Sequence, residues 1–212
     1  MTRWAREAEF DALFRAAAAR EAPGANVPAS YLVALAKAVT GEESGFDPTA
    51  YHWDGPDAAL NVSRGLMQIE GTTAQRYGLS YFGIDGETGP NAPHFGAGRD
   101  GGLYIPAVNV PIGVALLAAN LRSSSGDVAQ AIAAYNEGLV RASREAPGPY
   151  SNQGYVDAVL DNLQYFLDQD TPSASAGASS SDAGVNAGKA PAVVLAAGLL
   201  VLTIVLLWVM FR

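Results

Sequence analysis

From Ala190 to Phe211 the sequence runs for 22 residues without a charged side chain, and Thr203 is the one residue there that is not apolar. An α-helix of that length is about 33 Å long, enough to cross the hydrocarbon core of a bilayer. Lys189 and Arg212 flank the run, and Trp208 lies near one end, where a membrane interface is expected. The sequence therefore predicts a single transmembrane helix over residues 190–211, which must fold apart from any water-soluble core.

The composition changes before this run. Residues 169–189 are rich in serine, alanine and glycine, a composition typical of a flexible linker. Residues 1–168 have the composition and length of one globular domain with a core of its own. The sequence thus predicts a folded domain, a tether and a membrane anchor, in that order.

Helical periodicity dominates residues 1–168. Apolar residues recur at helical spacing in five segments, 2–21, 28–43, 109–122, 126–136 and 154–169, and a shorter helix is expected near Thr72. Asn109 and Asp127 stand where N-caps are expected, and the stretch 22–28 is expected to break the first helix. Little of the sequence alternates with period two, so we predict a mainly α fold of the α+β class with at most a small sheet.

Charge and composition exclude several kinds of site. The chain carries 13 Lys and Arg against 21 Asp and Glu and has no basic stripe, which argues against a nucleic-acid partner. It has no cysteine, so disulfides, thiolate zinc sites and cysteine nucleophiles are excluded. Its two histidines, His52 and His94, have no partner at metal-ligand spacing, so we expect neither a metal nor another cofactor.

Two adjacent glutamates, Glu42 and Glu43, end the second predicted helix. On a helical wheel Glu43 falls about 30° from the centre of the buried face and Glu42 about 70° from it. An inward carboxyl at a helix C-terminus is expected to have a raised pKa, because burial and the negative end of the helix dipole both disfavour its charge. Such an acid suits proton donation in glycosidic cleavage. If the helix instead ends at Thr40, before Gly41, the wheel does not apply.

Five short motifs follow one another in order: GEESGF (41–46), GLMQI (65–69), NVPIG (109–113), AIAAYNEG (131–138) and YV (155–156). Together they resemble the Glu-Ser-x-Phe, Gly-Leu-Met-Gln, Asn-x-x-x-Gly, Ala-Tyr-Asn-x-Gly and Tyr-Val elements of the soluble-lytic-transglycosylase-like domain. The resemblance covers about residues 26–166. It implies a lysozyme-like, α-rich fold and cleavage of peptidoglycan between N-acetylmuramic acid and N-acetylglucosamine.

The resemblance gives Glu43 the role of the single catalytic acid and base. Six further matched positions are expected to bind substrate or to support that acid: Ser44, Met67, Gln68, Tyr135, Asn136 and Tyr155. Met67 offers an adaptable apolar contact for a sugar face, while the amides of Gln68 and Asn136 offer hydrogen bonds. Tyr135 is expected to hold the Glu43 carboxyl, and Tyr155 to lie near it. Structural roles stay open for Ser44, as a helix cap, and for both tyrosines.

Glu70, directly after GLMQI, leaves a second mechanism open. Goose-type lysozymes, relatives with similar motifs, carry acids there and in the preceding loop, where this chain has Asp54 and Asp57. One of these three carboxylates would position a water opposite Glu43 and make the enzyme a hydrolase. A non-catalytic glycan-binding or structural virion protein is the alternative from another functional class.

The predicted anchor and the implied substrate put a condition on location. Peptidoglycan lies outside the cytoplasmic membrane, yet the segment MTRWAREAEF has no apolar signal-peptide core. Either a small N-terminal domain is exported, or a bacteriophage with an internal membrane carries the enzyme to the wall, as the resemblance suggests. We expect a single-pass protein, anchored by its C-terminus, that acts on the periplasmic cell wall; its oligomeric state is left open.

Overall fold

The described part of the chain is mainly helical. The computed structural model describes residues 3–53, 62–79 and 102–170, and in these residues it contains seven α-helices and three short strands. The helices are α1 Asp11–Ala25, α2 Ala29–Ser44, α3 Gly71–Arg76, α4 Pro106–Ser123, α5 Val128–Glu137, α6 Leu139–Glu145 and α7 Gln153–Asp170. Two 3-10 turns, Glu7–Phe10 and Gly102–Tyr104, precede α1 and α4. Helix α2 packs against α1 and α7, and α4 packs against α1 and α5.

Apolar faces of these helices form the core. Leu32, Leu35 and Val39 of α2 are fully buried, and so are Leu117 and Leu121 of α4. Each such side chain contributes about 1.5–3 kcal/mol when it leaves water. Helix α2 is therefore fixed along its length, and this fixes the position of whatever its last turn carries.

The strands form one small antiparallel sheet in the order β1-β2-β3. Strand β1 is Tyr51–Trp53, β2 is Val62–Arg64 and β3 is Ile69–Glu70. Tyr51 pairs with Arg64, and Ser63 pairs with Glu70. A mainly α fold with a small sheet, as predicted, is confirmed.

Helix α1 is displaced along the chain relative to its prediction. Residues 3–6 are not helical, and the helix continues through Pro23 to Ala25. A proline inside a helix leaves the carbonyl four residues earlier without a donor. That carbonyl belongs to the exposed Ala19, where water can hydrate it. The helix ends instead at Asn26, whose φ of 55° lies in the left-handed region.

Helix α4 begins at Pro106, so the prediction that Asn109 caps it is wrong; Asn109 lies within the helix and is fully buried. The predicted cap at Asp127 is confirmed, because its Oδ1 accepts a hydrogen bond from the Gln130 backbone N–H at 3.0 Å. Helix α6 was not predicted. It is a seven-residue helix with one buried residue, Ala142, so its sequence carries little apolar periodicity.

The contact pattern divides the chain into two units, Met1–Pro172 and Ser173–Arg212. The predicted helix over 190–211 lies outside the described residues, as does most of the predicted linker over 169–189. None of the helices in residues 3–53, 62–79 and 102–170 combines the length and apolar character that crossing a bilayer demands.

Candidate active site

The last turn of α2 carries both glutamates of the GEES motif. The helix passes Gly41 and runs to Ser44, where Gly45 closes it with a φ of 60° and a hydrogen bond from its N–H to the Gly41 carbonyl. The condition for the helical wheel is therefore met. Glu43 is partly buried, whereas Glu42 is exposed to solvent.

The Glu43 carboxyl is held by a tyrosine from α7. The Tyr155 hydroxyl donates a hydrogen bond of 2.6 Å to Glu43 Oε1. Burial, together with the charge of Glu43 and its hydrogen bond, raises the pKa of Tyr155 well above its ordinary value. The hydroxyl consequently keeps its proton across the neutral range and remains a donor to the carboxylate.

The GLMQ motif forms a tight turn at Gly65–Gln68, between β2 and β3. Three side chains from three helices bind its main chain. Ser44 Oγ donates to the Leu66 carbonyl at 2.7 Å, and the Tyr135 hydroxyl donates to the Met67 carbonyl at 2.8 Å. Asn109 Oδ1 accepts from the Met67 backbone N–H at 2.8 Å.

Asn109 also binds main chain outside the turn. Its Nδ2 donates to the carbonyls of Arg64 at 2.7 Å and of Leu103 at 2.9 Å. All three polar groups that it satisfies are buried main-chain groups, so the amide supplies hydrogen-bond partners that these groups need away from water.

Two glycines permit this close packing. Gly65 has a φ of 72°, and a Cβ there would lie 2.3 Å from the Leu103 carbonyl oxygen. At Gly113, one turn after Asn109 on α4, a Cβ would lie 2.4 Å from the Met67 sulfur. The Asn-x-x-x-Gly motif thus binds the turn in two ways. The asparagine forms hydrogen bonds with the main chain, and the glycine leaves space in which the Met67 side chain packs.

A cavity of about 740 Å³ opens beside Glu43. Its wall combines the end of α2, the turn, the sheet, and the adjoining ends of α5 and α6. Three of the predicted site residues, Gln68, Tyr135 and Asn136, line it. The Gln68 amide nitrogen donates to the Gly65 carbonyl at 2.9 Å, and Asn136 Oδ1 accepts from Asn152 at 3.1 Å. Both amides are therefore held in fixed orientations.

The structure gives three of the predicted site residues structural contacts, an alternative that the sequence left open for Ser44 and Tyr135. The Met67 side chain is fully buried and packs at Gly113, so it offers no surface to a sugar. Ser44 does not line the cavity, and its hydroxyl binds the turn. The Tyr135 hydroxyl donates a hydrogen bond to the Met67 carbonyl, whereas the Tyr155 hydroxyl donates one to the Glu43 carboxylate.

Of the three predicted second acids, Glu70 lies on the cavity wall, and its Oε2 accepts a hydrogen bond of 3.2 Å from Thr72. Asp54 and Asp57 lie outside the described residues. The cavity also contains charged or titratable residues that the sequence did not indicate: His52, Arg76 and Glu137. Glu137 occupies the variable position of the Ala-Tyr-Asn-x-Gly motif, and His52 lies on strand β1, so only tertiary structure brings them to Glu43. In the described part of the chain, no three His, Cys, Asp or Glu side chains are grouped to hold a metal ion.

A comparison of the sequence with protein-family models identifies a family for the domain that carries this site. The model described as the transglycosylase SLT domain matches residues 19–155. This chain belongs to the transglycosylase SLT domain family. Glu43, the turn, Tyr135 and Tyr155 all lie within the matched SLT residues, while residues 3–18 and most of α7 lie outside them.

Solved structures similar to the chain include two lytic transglycosylases. The 70 kDa soluble lytic transglycosylase from Escherichia coli matches with a TM-score of 0.52 and 26% identity over 76% of this chain. An inactive mutant of the lytic transglycosylase Slt from Pseudomonas aeruginosa matches with a TM-score of 0.49 and 25% identity over 73% of this chain. Each match covers 24% of the larger enzyme's chain. None of the curated proteins searched matches the chain.

In the lytic transglycosylase reaction that we propose below, replacing Tyr155 with phenylalanine is expected to lower the turnover of peptidoglycan about 10-fold. A hydrogen bond to a charged group contributes about 1.5–3 kcal/mol, and the variant removes one from the Glu43 carboxylate. Without that donor the carboxyl holds its proton more tightly, so the basic limb of the activity profile moves to higher pH. Initial rates against pH measure both effects.

Tyr150→Phe is the matched control. Tyr150 is also buried, but its hydroxyl has no hydrogen-bond partner among the described residues, so its removal should change neither the rate nor the pH profile. Equal behaviour of the two variants would show that the Tyr155 hydroxyl does not act on Glu43.

Proposed function

We propose that the chain cleaves peptidoglycan glycan strands as a lytic transglycosylase, with Glu43 as its acid and base. The observation that carries the proposal is the Glu43 carboxyl, which lies at a cavity of about 740 Å³ and is bound by Tyr155 at 2.6 Å. Family membership supports the same reaction class.

The proposed reaction needs one carboxyl group. Protonated Glu43 donates its proton to the oxygen that links N-acetylmuramic acid to N-acetylglucosamine, and the bond from C1 to that oxygen breaks. The carboxylate then accepts the proton of the muramyl 6-hydroxyl as that oxygen bonds to C1. A 1,6-anhydro ring forms, no water is consumed, and Glu43 is protonated again.

The other residues of the site bind substrate or support the acid and the turn in this proposal. Gln68 and Asn136 present amides to the acetamido and hydroxyl groups of the sugars. Tyr155 orients the acid, and Ser44, Asn109 and Tyr135 hold the turn that positions Gln68. These supporting contacts matter because small displacements of a reacting group cost large factors in rate.

Hydrolysis is the second candidate, and the position of Glu70 on the same cavity wall favours it. An inverting hydrolase needs a second carboxylate about 6.5–9.5 Å from the acid, with an attacking water between them. In that case Glu70, or Asp54 or Asp57, would activate the water. The two reactions differ in whether water enters the product.

Mass spectrometry of fragments released from purified cell-wall sacculi in H₂¹⁸O separates the candidates. We expect 1,6-anhydro ends without ¹⁸O in both the wild type and Glu70→Gln. Reducing ends that carry ¹⁸O, and their loss in Glu70→Gln, would instead establish the hydrolase. A wild-type protein that binds sacculi but releases nothing would be a glycan-binding or structural protein.

The proposal includes a location. The apolar run over 190–211 anchors the protein in a membrane, and residues 169–189 tether the domain close to the wall. We propose that the anchored enzyme acts on the periplasmic wall, as part of a phage particle with an internal membrane, and opens the wall locally for genome entry. The full chain should then require detergent for extraction and be present in purified particles. Extraction by salt alone would refute the anchor, and absence from particles would refute the phage role.

A further inference from the structure

An aromatic cluster lies behind the last turn of α2, and Trp4 is its centre. The Trp4 ring stacks on Phe166 at 5.6 Å with an interplanar angle of 13°, and it meets Tyr165 edge-on at 6.0 Å. It also contacts Phe46, the phenylalanine of the GEESGF motif, at 5.5 Å. The Tyr165 hydroxyl accepts a hydrogen bond of 2.8 Å from the Arg3 backbone N–H, which ties the chain next to Trp4 to α7.

Trp4 is accommodated by a glycine inside α2. A Cβ at Gly41 would lie 2.5 Å from Trp4 Cζ2 and 2.7 Å from Cη2. Glycine within a helix is unfavourable relative to alanine, so a reason for it is expected, and the indole ring provides one. A Cβ at Gly45 would lie at ordinary contact distance, 3.7 Å from Trp4 Cδ1.

The indole therefore supports this turn from the face opposite the acid. Residues 41 and 45 share one face of a helix, and residue 43 lies about 200° around from residue 41. On that other face the Glu43 carboxyl meets Tyr155. Trp4 consequently contacts both elements that carry this pair, α2 through Gly41 and α7 through Phe166.

The segment that carries Trp4 is fixed to α7 by polar contacts. The Arg3 guanidinium pairs with Asp161 at 2.9 Å and also lies 5.2 Å from the Trp4 ring centroid. On the other side of the cluster, the Lys37 ammonium lies 4.6 Å from the Phe166 ring and pairs with Asp11 at 2.8 Å. The indole is thus held in place rather than resting loosely on the surface.

Both sides of the stack lie outside the family match. The matched residues are 19–155, so Trp4 precedes them and Phe166 follows them. The aromatic contact therefore joins two segments outside the matched residues, directly behind the turn that carries Glu43.

We propose that Trp4 is a positioning residue for catalysis, which holds the Glu43 turn against α7 at the separation that the Tyr155 hydrogen bond requires. This inference rests on the proposed function, because it concerns the same acid. Loss of the indole leaves a void behind Gly41, and the last turn of α2 can then move away from α7. The rate should fall because the acid is displaced, although the cavity wall that binds the glycan is unchanged.

Steady-state kinetics of the full chain on soluble glycan strands test the proposal. We expect Trp4→Ala to lower kcat about 10-fold with KM within about twofold of the wild type. The basic limb of its pH profile should move in the same direction as in Tyr155→Phe. Trp4→Phe retains an aromatic ring and should recover part of the lost kcat.

Phe10→Ala separates positioning from general stability. Phe10 is 6% exposed and belongs to the same N-terminal segment, but within the described residues it makes no ring contact with the Trp4 cluster. This variant should lower the melting temperature and leave kcat unchanged in the folded protein. A Trp4→Ala variant whose kcat stays within twofold of the wild type, or matches Phe10→Ala, overturns the proposal.

Gly41→Ala is expected to change stability in opposite directions in the wild type and in the Trp4→Ala variant. In the wild type the added methyl meets the indole and should lower both kcat and stability. In the Trp4→Ala background the same methyl enters the void and improves helix propensity, so it should raise stability. Equal effects in the two backgrounds would mean that Gly41 does not serve Trp4.

A spectroscopic measurement distinguishes failure of this inference from failure of the proposed function. With ¹³C at tyrosine Cζ, the Tyr155 resonance is identified by its absence in Tyr155→Phe. We expect it to shift in Trp4→Ala and to stay in place in Phe10→Ala. An unmoved resonance overturns the inference even if peptidoglycan is cleaved, and a shifted resonance supports it even if the wild type releases nothing.

Discussion

Replacing Glu43 with glutamine is expected to reduce peptidoglycan cleavage by at least about 10³-fold, since general acid–base catalysis contributes about 10²–10⁴-fold and the proposed reaction assigns both steps to this one group. Glutamine has nearly the same shape and can still accept a hydrogen bond from Tyr155, so the fold and glycan binding should survive. Release of soluble fragments from sacculi measures cleavage, and a sedimentation assay on the same sacculi measures binding.

Glu42→Gln is the control for that experiment. Glu42 is adjacent in sequence and carries the same charge, but it is exposed to solvent. Its replacement changes the net charge by the same amount and should leave cleavage within about twofold of the wild type. If Glu43→Gln cleaves as fast as Glu42→Gln, the acid lies elsewhere, and Glu70 becomes the next residue to replace.

Replacing Asn109 with alanine is expected to lower the free energy of unfolding by about 4 kcal/mol, because each buried polar group left without a partner costs about 1–3 kcal/mol. The variant removes the hydrogen-bond partner of three such groups, the Met67 N–H and the carbonyls of Arg64 and Leu103. Some of them will find water, which is why we expect less than the full sum. The free energy of unfolding of a domain is about 5–15 kcal/mol in total, so urea unfolding should measure this loss readily.

Asn162→Ala provides the comparison for this effect. Asn162 is 2% exposed, and among the described residues its amide nitrogen donates one hydrogen bond of 3.3 Å, to the Ala38 carbonyl. Its loss should cost about 1 kcal/mol. Comparable losses in the two variants would mean that the three contacts of Asn109 do not act together. Asn109→Ser, whose hydroxyl can still donate and accept a hydrogen bond, serves if the alanine variant does not fold.

The fold was predictable where apolar periodicity and a local cap agree. Helix α2 and the cap at Asp127 follow from rules that act over a few residues. The C-terminal end of α1 and the N-terminal end of α4 were misplaced for one physical reason: Pro23 and Pro111 each lie within a helix, and the carbonyl that loses its donor is exposed and can be hydrated. Local rules place a helix boundary near such a proline, and only the position of the helix on the surface shows that the proline is tolerated inside it.

The site was predictable for the acid but less so for its neighbours. Glu43 is selected by the helical wheel, which depends on local geometry alone. Ser44, Met67 and Tyr135 match positions where contact with substrate or acid was one expectation, yet Ser44 and Tyr135 bind the turn and the Met67 side chain packs beneath it. A motif shows that a residue type is required at a position, but it does not distinguish contact with a ligand from contact with main chain. His52 and Glu137 reach the cavity through tertiary packing, which leaves no local signal.

Gly65–Gln68 is held through its backbone, and this makes its outward side chain open to redesign. Ser44, Asn109 and Tyr135 bind carbonyl and amide groups that every residue type supplies, so a change of side chain at position 68 leaves their contacts intact. The backbone there has a φ of 45°, a region that asparagine and glycine enter more readily than other residues. Asparagine is therefore the natural first substitution for an engineer who wishes to alter sugar preference at this cavity without refolding the protein around it.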